Sequence, residues 1–237
     1  MERLRISIAK RLMDIVFSTA ILLFSAPLML FMALVIKLTS KGPVFYKQRR
    51  MGMLANGRRP MEFDVYKFRT MSVDAEARSG AVQAAVNDVR VTGIGRFLRK
   101  TRLDELPQML NVLKGEMSIV GPRPERPELM ASLAHAIPFF EERLRYVKPG
   151  ITGLAQVTLQ YDGEMGKGDK LAPLKSSLVN PFGLQELDGA PADGMRLKML
   201  YDLSYSAALE RFTSFLKTDL GIILKTPFIM FVARTGR

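Results

Sequence analysis

The sequence predicts an α+β, mainly helical protein with an N-terminal membrane helix, a small β-hairpin and amphipathic helices suited to a membrane interface. Three observations carry this reading. From Ile15 to Ile36 the chain holds 22 residues without a charge, about 33 Å as a helix and enough for a hydrocarbon core of roughly 30 Å. Residues 44 to 70 are rich in strand formers without a helical period and are divided by the turn Ala55-Asn56-Gly57, as in a hairpin. Leu220 to Val232 is apolar apart from Lys225, Thr226, Gly221 and Pro227. That stretch is short for a span but suits a helix lying at an interface.

The apolar run is too long for a cleaved signal peptide, and no small-x-small site precedes Lys37-Leu38-Thr39-Ser40-Lys41-Gly42-Pro43. Pro27 falls near its middle, where it removes a backbone donor. Ser25 offers a hydroxyl to the carbonyl this would free, a common companion of a break in a membrane helix. Both flanks are basic: Arg3, Arg5, Lys10 and Arg11 before, and Lys37, Lys41, Lys47, Arg49 and Arg50 after. Basic flanks favour the cytoplasmic side, so a helix-break-helix that dips in and returns accommodates both. The residues leave this open beside an ordinary kinked span.

Beyond the hairpin, residues 72 to 88 read as an Ala-rich polar helix. Residues 107 to 114 read as a short amphipathic helix stopped by Gly115. Gly121-Pro122-Arg123-Pro124 forms a rigid loop. Pro127 to Arg145 reads as a helix open to interruption at Pro138, and Lys148 to Gly153 as a turn. From 162 to 194 Gly, Asp, Pro, Lys and Ser dominate with no apolar period, the pattern of a long loop. Met195 to Arg237 reads as helical with a break at Pro227.

The chain has 237 residues, with 35 Lys and Arg against 23 Asp and Glu, for a net charge of +12. That balance favours anionic partners: nucleic acid, anionic membrane lipids or phosphorylated small molecules. No nucleic acid is expected, because no helix-turn-helix, zinc module or aromatic stacking platform is visible. The absence of Cys excludes disulfides and thiolate metal sites. A single His, His135, excludes a multi-histidine centre within one chain and reads as a surface or core residue. Chemistry is left to carboxylates, Lys, Arg and bound cations.

Asp104-Glu105-Leu106-Pro107 is the focus of that chemistry. Pro is tolerated in the first turn of a helix, so the two acids sit at or just before a helix N-terminus. Their plainest role is an N-cap and a first-turn acid. Their surroundings, with Arg90, Arg96, Arg99, Lys100 and Arg102, also suit two carboxylates holding a divalent cation against a pyrophosphate, or one acting as a nucleophile on phosphorus. Arg123, fixed between two prolines, presents a planar fork for a phosphate. Lys67 and Arg69, two apart on a strand, share a face; the bland alternative is a solvated charge pair on an edge strand.

Six blocks occur in order: Lys10-Arg11-Leu12-Met13-Asp14, Lys67-Phe68-Arg69-Thr70-Met71, Leu103 to Gln108, Asn111 to Ser118, Val120 to Pro124 and Lys148 to Gly153. Together they resemble the monotopic phosphoglycosyl transferases, or bacterial sugar transferases, over about residues 8 to 160. The likeness resumes at Tyr201-Asp202-Leu203-Ser204-Tyr205 and Asp219 to Ile223. The resemblance implies residues 1–40 as a re-entrant membrane helix and 41–237 as a cytoplasmic catalytic domain on the inner membrane. It implies that Asp104 attacks the sugar-bearing phosphate of a UDP-sugar, releases UMP and passes the phosphosugar to undecaprenyl phosphate, an opening step of cell-surface glycan assembly. Glu105 would help Asp104 bind Mg²⁺. Lys67, Arg69, Arg99 and Arg123 would contact phosphate or nucleotide, and Asp202 would be a further polar site residue. A homodimer is compatible with this picture.

Three departures stand out. The family's Ser-Pro pair is here Ser25-Ala26-Pro27, Leu154 stands where an aromatic is common, and the 162–194 loop is longer than in compact members. The chain otherwise resembles the minimal catalytic form. The competing readings are direct transfer with the dyad only binding metal, a membrane-tethered anion-binding protein, and an inactive scaffold.

Overall fold

The computed structural model describes residues 1–55, 59–73, 75, 88–159 and 192–235. The architecture is mainly helical α+β with two small two-stranded sheets. Helix α1, Glu2–Thr39, is long and apolar, and only Ile6, Asp14, Ser18, Met32 and Ile36 are buried along it. Leu23, Phe24, Leu30 and Phe31 are exposed in its middle. The expected break is not seen: the helix continues through Pro27, and Ser25 Oγ lies 3.4 Å from Met29 Sδ instead of on a carbonyl. One proline removes a single donor, and the intact turns on either side keep the helix propagating.

The hairpin is present as β1, Phe45–Ala55, and β2, Arg59–Phe68, antiparallel with Tyr46 opposite Lys67. A bulge between Met51 and Leu54 interrupts the register, and Gly52 sits there with Met61 O 2.9 Å from where a Cβ would be. The second sheet has no counterpart in the sequence reading. Its strands β3, Ser118–Val120, and β4, Gly150–Thr152, pair in parallel. Strands of three residues are too short to show a period-two pattern, and this pairing joins segments 30 residues apart in the chain.

Between the sheets run α2, Gly93–Thr101, then a 3₁₀ turn, Leu103–Gln108, leading into α3, Met109–Lys114. Gly115, at φ 84°, ends α3 as expected. The helical segment therefore starts at Leu103 and not at Pro107. The Pro127 segment divides as its proline suggests, into α4, Pro127–Ala136, and a 3₁₀ turn, Phe140–Leu144. After α5, Leu154–Thr158, the C-terminal part forms α6, Ala192–Ala208, and α7, Phe212–Thr235. Helix α7 continues through Pro227, where a break was expected. The helix expected over 72–88 lies outside the described residues except at 72, 73, 75 and 88, none of which is helical. The loop expected over 162–194 also lies outside them, except that its last three residues already belong to α6.

The main core gathers Val65, Met109, Val112, Ile119, Val120, Tyr205 and Ile222, with Phe17, Ile21 and Leu22 of α1 packed on it. A second cluster joins Met32 and Ile36 of α1 to Phe68 and Leu98. Both halves of α1 thus pack on the rest of the chain. The sequence block at residues 10 to 14 makes the first attachment through polar groups. Lys10 Nζ donates to Asp219 Oδ2 at 2.6 Å, Tyr205 OH at 2.7 Å and Val120 O at 2.9 Å. Arg11 donates to Val112 O and Leu113 O, both at 2.6 Å, and so caps the end of α3. Asp14 Oδ1 accepts from Ser118 Oγ at 2.9 Å and Ile119 N at 2.8 Å.

Helix α2 is capped by Thr92, whose Oγ1 accepts from Gly95 N at 3.0 Å, and it lies directly on the end of β2. A Cβ on Gly95 would fall 2.0 Å from Thr70 O, whereas one on Gly93 would meet nothing within 4 Å. Backbone cannot yield as a flexible side chain does. Gly95→Ala is therefore expected to cost about 3 kcal/mol or more, and Gly93→Ala to stay within about 0.5 kcal/mol of wild type, both measured by thermal unfolding.

Candidate active site

The dyad is brought to its place by an unusual backbone. Arg102 ends α2 in the left-handed region, φ 59° and ψ 14°, a conformation that a residue with a Cβ adopts only at some cost. The chain turns there, and the following 3₁₀ turn carries both acids in its first turn. Neither acid is a plain cap, because no side-chain cap bond is made at this turn. Asp104 is buried, 8% exposed.

Glu105 is held from two sides. Its Oε1 accepts from Lys67 Nζ at 3.0 Å and from Arg123 Nη2 at 2.9 Å. Burial alone would raise its pKa, but Arg123 and then Lys67 outweigh burial and hold the carboxyl well below its ordinary range. Asp104 goes the other way, pushed up to about 6 by burial and then by the fixed charge of Glu105, against the pull of Lys67, Arg102 and Arg99. Its Oδ1 is enclosed and makes no hydrogen bond. Adjacent carboxylates driven apart in this way are a recurrent basis for dividing chemical roles. A buried acceptor without a donor costs folding free energy, and it is also an oxygen whose lone pairs are uncommitted.

The Gly-Pro-Arg-Pro loop is fixed by its carbonyls, since its prolines have no N–H to offer. Pro122 O accepts from Gly150 N at 2.8 Å, Arg123 O from Arg143 Nη2 at 2.7 Å, Pro124 O from Arg50 Nη1 at 3.1 Å and Glu125 O from Met51 N at 2.9 Å. Four successive carbonyls are thus tied to β4, the turn at Phe140–Leu144 and β1. The Arg123 side chain, 42% exposed, reaches from this frame to Glu105 and to solvent at once. Burial followed by the nearby Arg123 lowers Arg50 to about 10. Burial likewise lowers Lys67, partly offset by Glu105.

The remaining expected site residues lie in three different settings. Arg99 Nε donates to Thr70 Oγ1 at 2.8 Å, and its charge is felt at Asp104. Asp202 Oδ2 accepts from Arg143 Nη1 at 2.7 Å, both side chains nearly fully buried. Burial pushes its pKa up to about 6, against the pull of Arg143. Arg143 is the link from Asp202 to the Arg123 backbone and stacks 4.5 Å above the Phe140 ring. Arg69 has partners other than those of Lys67. It lies just beyond β2, and its guanidinium donates to Lys41 O, to Ser40 O at 2.9 Å and to Ser40 Oγ at 2.8 Å. Its own N–H still donates to Val44 O at 2.9 Å.

Sequence reasoning missed Arg50, Arg143 and the anchoring roles of Lys10, Arg11 and Asp14. Arg143 stands in a charged stretch, Glu141-Glu142-Arg143-Leu144-Arg145, with nothing to mark it as the buried member. The ordered block at residues 10 to 14 was the available signal for the anchors. Among the described residues no group of three or more His, Cys, Asp or Glu side chains could hold a metal.

The bacterial sugar transferase family matches residues 5–233. A Bacillus subtilis protein, named provisionally as an undecaprenyl-phosphate N-acetylgalactosaminyl 1-phosphate transferase, is 46% identical over 160 residues, 68% of this chain and 81% of that one. A UDP-glucose:undecaprenyl-phosphate glucose-1-phosphate transferase of Klebsiella pneumoniae is 45% identical over 169 residues, 71% of this chain and 34% of the relative. An Aeromonas hydrophila UDP-N-acetylgalactosamine-undecaprenyl-phosphate N-acetylgalactosaminephosphotransferase is 38% identical over 217 residues, 92% of this chain and 42% of the relative. The chain spans less than half the length of the last two. A match that runs from the anchors of α1 through the dyad to α7 covers every part of the site described above, and the chain belongs to the bacterial sugar transferase family.

Proposed function

We propose that this chain transfers a sugar 1-phosphate from a UDP-sugar to undecaprenyl phosphate in two steps, with Asp104 as nucleophile. The carrying observation is the dyad's asymmetry: Glu105 is fixed by Lys67 and Arg123, while Asp104 keeps an enclosed oxygen without a partner. In the first step an Asp104 oxygen forms a bond to the sugar-bearing phosphorus. The bond from that phosphorus to the bridging oxygen breaks, and UMP leaves with the electron pair. In the second step a phosphate oxygen of the lipid attacks the same phosphorus, and the Asp104 carboxylate departs. Arg123, half exposed above the dyad, and Arg99 beside it are suited to charge on the phosphate oxygens. The relatives' names divide between glucose and N-acetylgalactosamine, so the sugar is not assigned.

Mg²⁺ fits this site as a partner of the substrate. It commonly takes one or two carboxylates together with phosphate oxygens and water, and Asp104 and Glu105 supply two adjacent carboxylates. Bound there, it would neutralise charge on the pyrophosphate. The surrounding cations Lys67, Arg123 and Arg102 disfavour a metal ion before the anionic substrate arrives.

The membrane reading follows from α1. Residues on both sides of Pro27 pack on one body, Asp14 and Ser18 at one end, Met32 and Ile36 at the other, while Leu23, Phe24, Leu30 and Phe31 stay exposed between them. An α1 that stays helical but bends at Pro27, dipping into the bilayer and returning on the same side, accommodates this with the basic flanks on one face. Exposed Leu224 and Phe228 on α7 suit the same interface, where anionic lipids would meet the basic surface.

Incubation with UDP-sugars and Mg²⁺, without lipid acceptor, is expected to release UMP in a burst of about one per enzyme. Peptide mass spectrometry should find a phosphosugar on Asp104. UMP release only when the lipid is present, with no adduct, would establish direct transfer instead. Asp104→Asn is expected to abolish both the burst and turnover. The rate of the first step should fall about tenfold per pH unit below about pH 6, as Asp104 takes up its proton. Stability should move oppositely to activity. The folded protein holds the Asp104 proton up to about pH 6, against an ordinary value of 3.8, so ionisation opposes folding in full above pH 6, and the penalty declines as pH falls from 6 to 4 and is lost below that. Asp104→Asn is accordingly expected to stabilise the fold by about 1–3 kcal/mol at pH 8 and by nothing at pH 3.5, measured by denaturant unfolding.

A further inference from the structure

Four consecutive residues at the end of β2 reach four different parts of the molecule. Lys67 pairs with Glu105 at 3.0 Å. Phe68 is buried with Met32 and Ile36 of α1 and Leu98 of α2. Arg69 binds the two residues that follow α1, through Ser40 O, Ser40 Oγ and Lys41 O. Thr70 Oγ1 accepts from Arg99, and Thr70 O accepts from Thr92 N at 3.0 Å. The exit of α1 and the dyad are therefore attached to one short piece of backbone.

The arrangement around Arg69 is close-packed. Gly42 adopts φ 119°, and a Cβ there would lie 2.5 Å from Arg69 Nη1 and 2.6 Å from Val73 Cγ2. The guanidinium thus fills the space over the turn that follows α1. Ser40 Oγ in turn donates to Ile36 O at 3.1 Å, so Arg69 reaches the end of α1 through the residue that caps it. Packed against the same cluster is Leu103, the residue immediately before Asp104. Any shift of the C-terminal half of α1 is felt at the turn that carries the nucleophile.

We propose that Arg69 is a positioning residue that holds the exit of α1 in register with the dyad, and that transfer to a membrane-borne acceptor depends on it whereas attack on the nucleotide-sugar does not. This rests on the two-step reading given above. A water-soluble donor can reach the dyad whatever the height of the site over the bilayer. A polyprenyl phosphate has its tail in the hydrocarbon and its phosphate at the surface, so the distance from α1 to Asp104 must match the reach of that headgroup. A bidentate guanidinium suits the task because its planar fork fixes direction as well as charge, which an ammonium does not.

The test separates the two half-reactions in full-length enzyme reconstituted in vesicles. Arg69→Lys should leave the UMP burst within about twofold of wild type and lower sugar-phosphate transfer to undecaprenyl phosphate about tenfold, as expected for a reactive group misplaced by a fraction of an ångström. With a short-chain, water-soluble polyprenyl phosphate, transfer should return to within about twofold of wild type. Ser40→Ala, which removes one acceptor and leaves the guanidinium in place, should show the same pattern in milder form. Loss of the burst in step with transfer for both variants would make Arg69 a donor contact or a general support of the fold and overturn the proposal. An equal deficit with both acceptors, or wild-type transfer in vesicles, would also overturn it. Absence of a burst from the wild-type enzyme would instead overturn the two-step reading, a separate failure.

Discussion

Two cations on one carboxylate govern this site. Lys67 and Arg123 converge on a single oxygen of Glu105 and keep it ionised despite its burial. A fixed negative charge next to Asp104 then adds to the cost of desolvating it, and the Asp104 carboxyl is pushed up to about 6 while Glu105 is held well below its ordinary range. The contrast needs Lys67 and Arg123 at fixed positions, and most of the surrounding structure serves that end. Lys67 is fixed by the register of the hairpin, and Arg123 by a loop whose carbonyls are each held from outside.

The basic character of the chain is therefore only partly a surface property. Arg11, Arg50, Arg69 and Arg143 each donate to backbone carbonyls at the end of a helix or along the proline loop. Such carbonyls lie where a helix ends or where proline interrupts the ladder, so they have no regular partner and need a donor from elsewhere. Arginine meets that need because one side chain can bind two acceptors at a defined angle. Lys10 plays the corresponding part between α1, α6 and α7, with Asp219, Tyr205 and Val120 O around its ammonium. The long apolar helix, the proline loop and the C-terminal helices are joined through polar contacts and not only through apolar packing.

This division explains which residues were legible in advance. The dyad stood out because two acids beside Pro107 lie in a run of basic residues, and Arg123 because prolines flank it. The hairpin and the Gly115 stop followed from local chemistry. Arg69 and Asp202 carried the right residue type in an ordered block, but the block could not say whether each reaches the dyad or supports something that does. Arg143 and Arg50 could not be distinguished from solvated charges, because their burial depends on segments distant in the chain. The breaks expected at Pro27 and Pro227 failed for a related reason: proline removes one donor, and whether a helix ends there depends on what packs on either side.

By itself the sequence determined the presence of the apolar helix, the hairpin, the family blocks and the acid pair. Each of these is written in residues that are neighbours along the chain or share one local period. The tertiary structure decided what depends on distant segments meeting. It set the parallel pairing of β3 with β4, the opposite titration of Asp104 and Glu105, and the assignment of Arg69 to the helix exit. Desolvation and charge pairing act through space, so their outcome exists only once the backbone has brought those groups together.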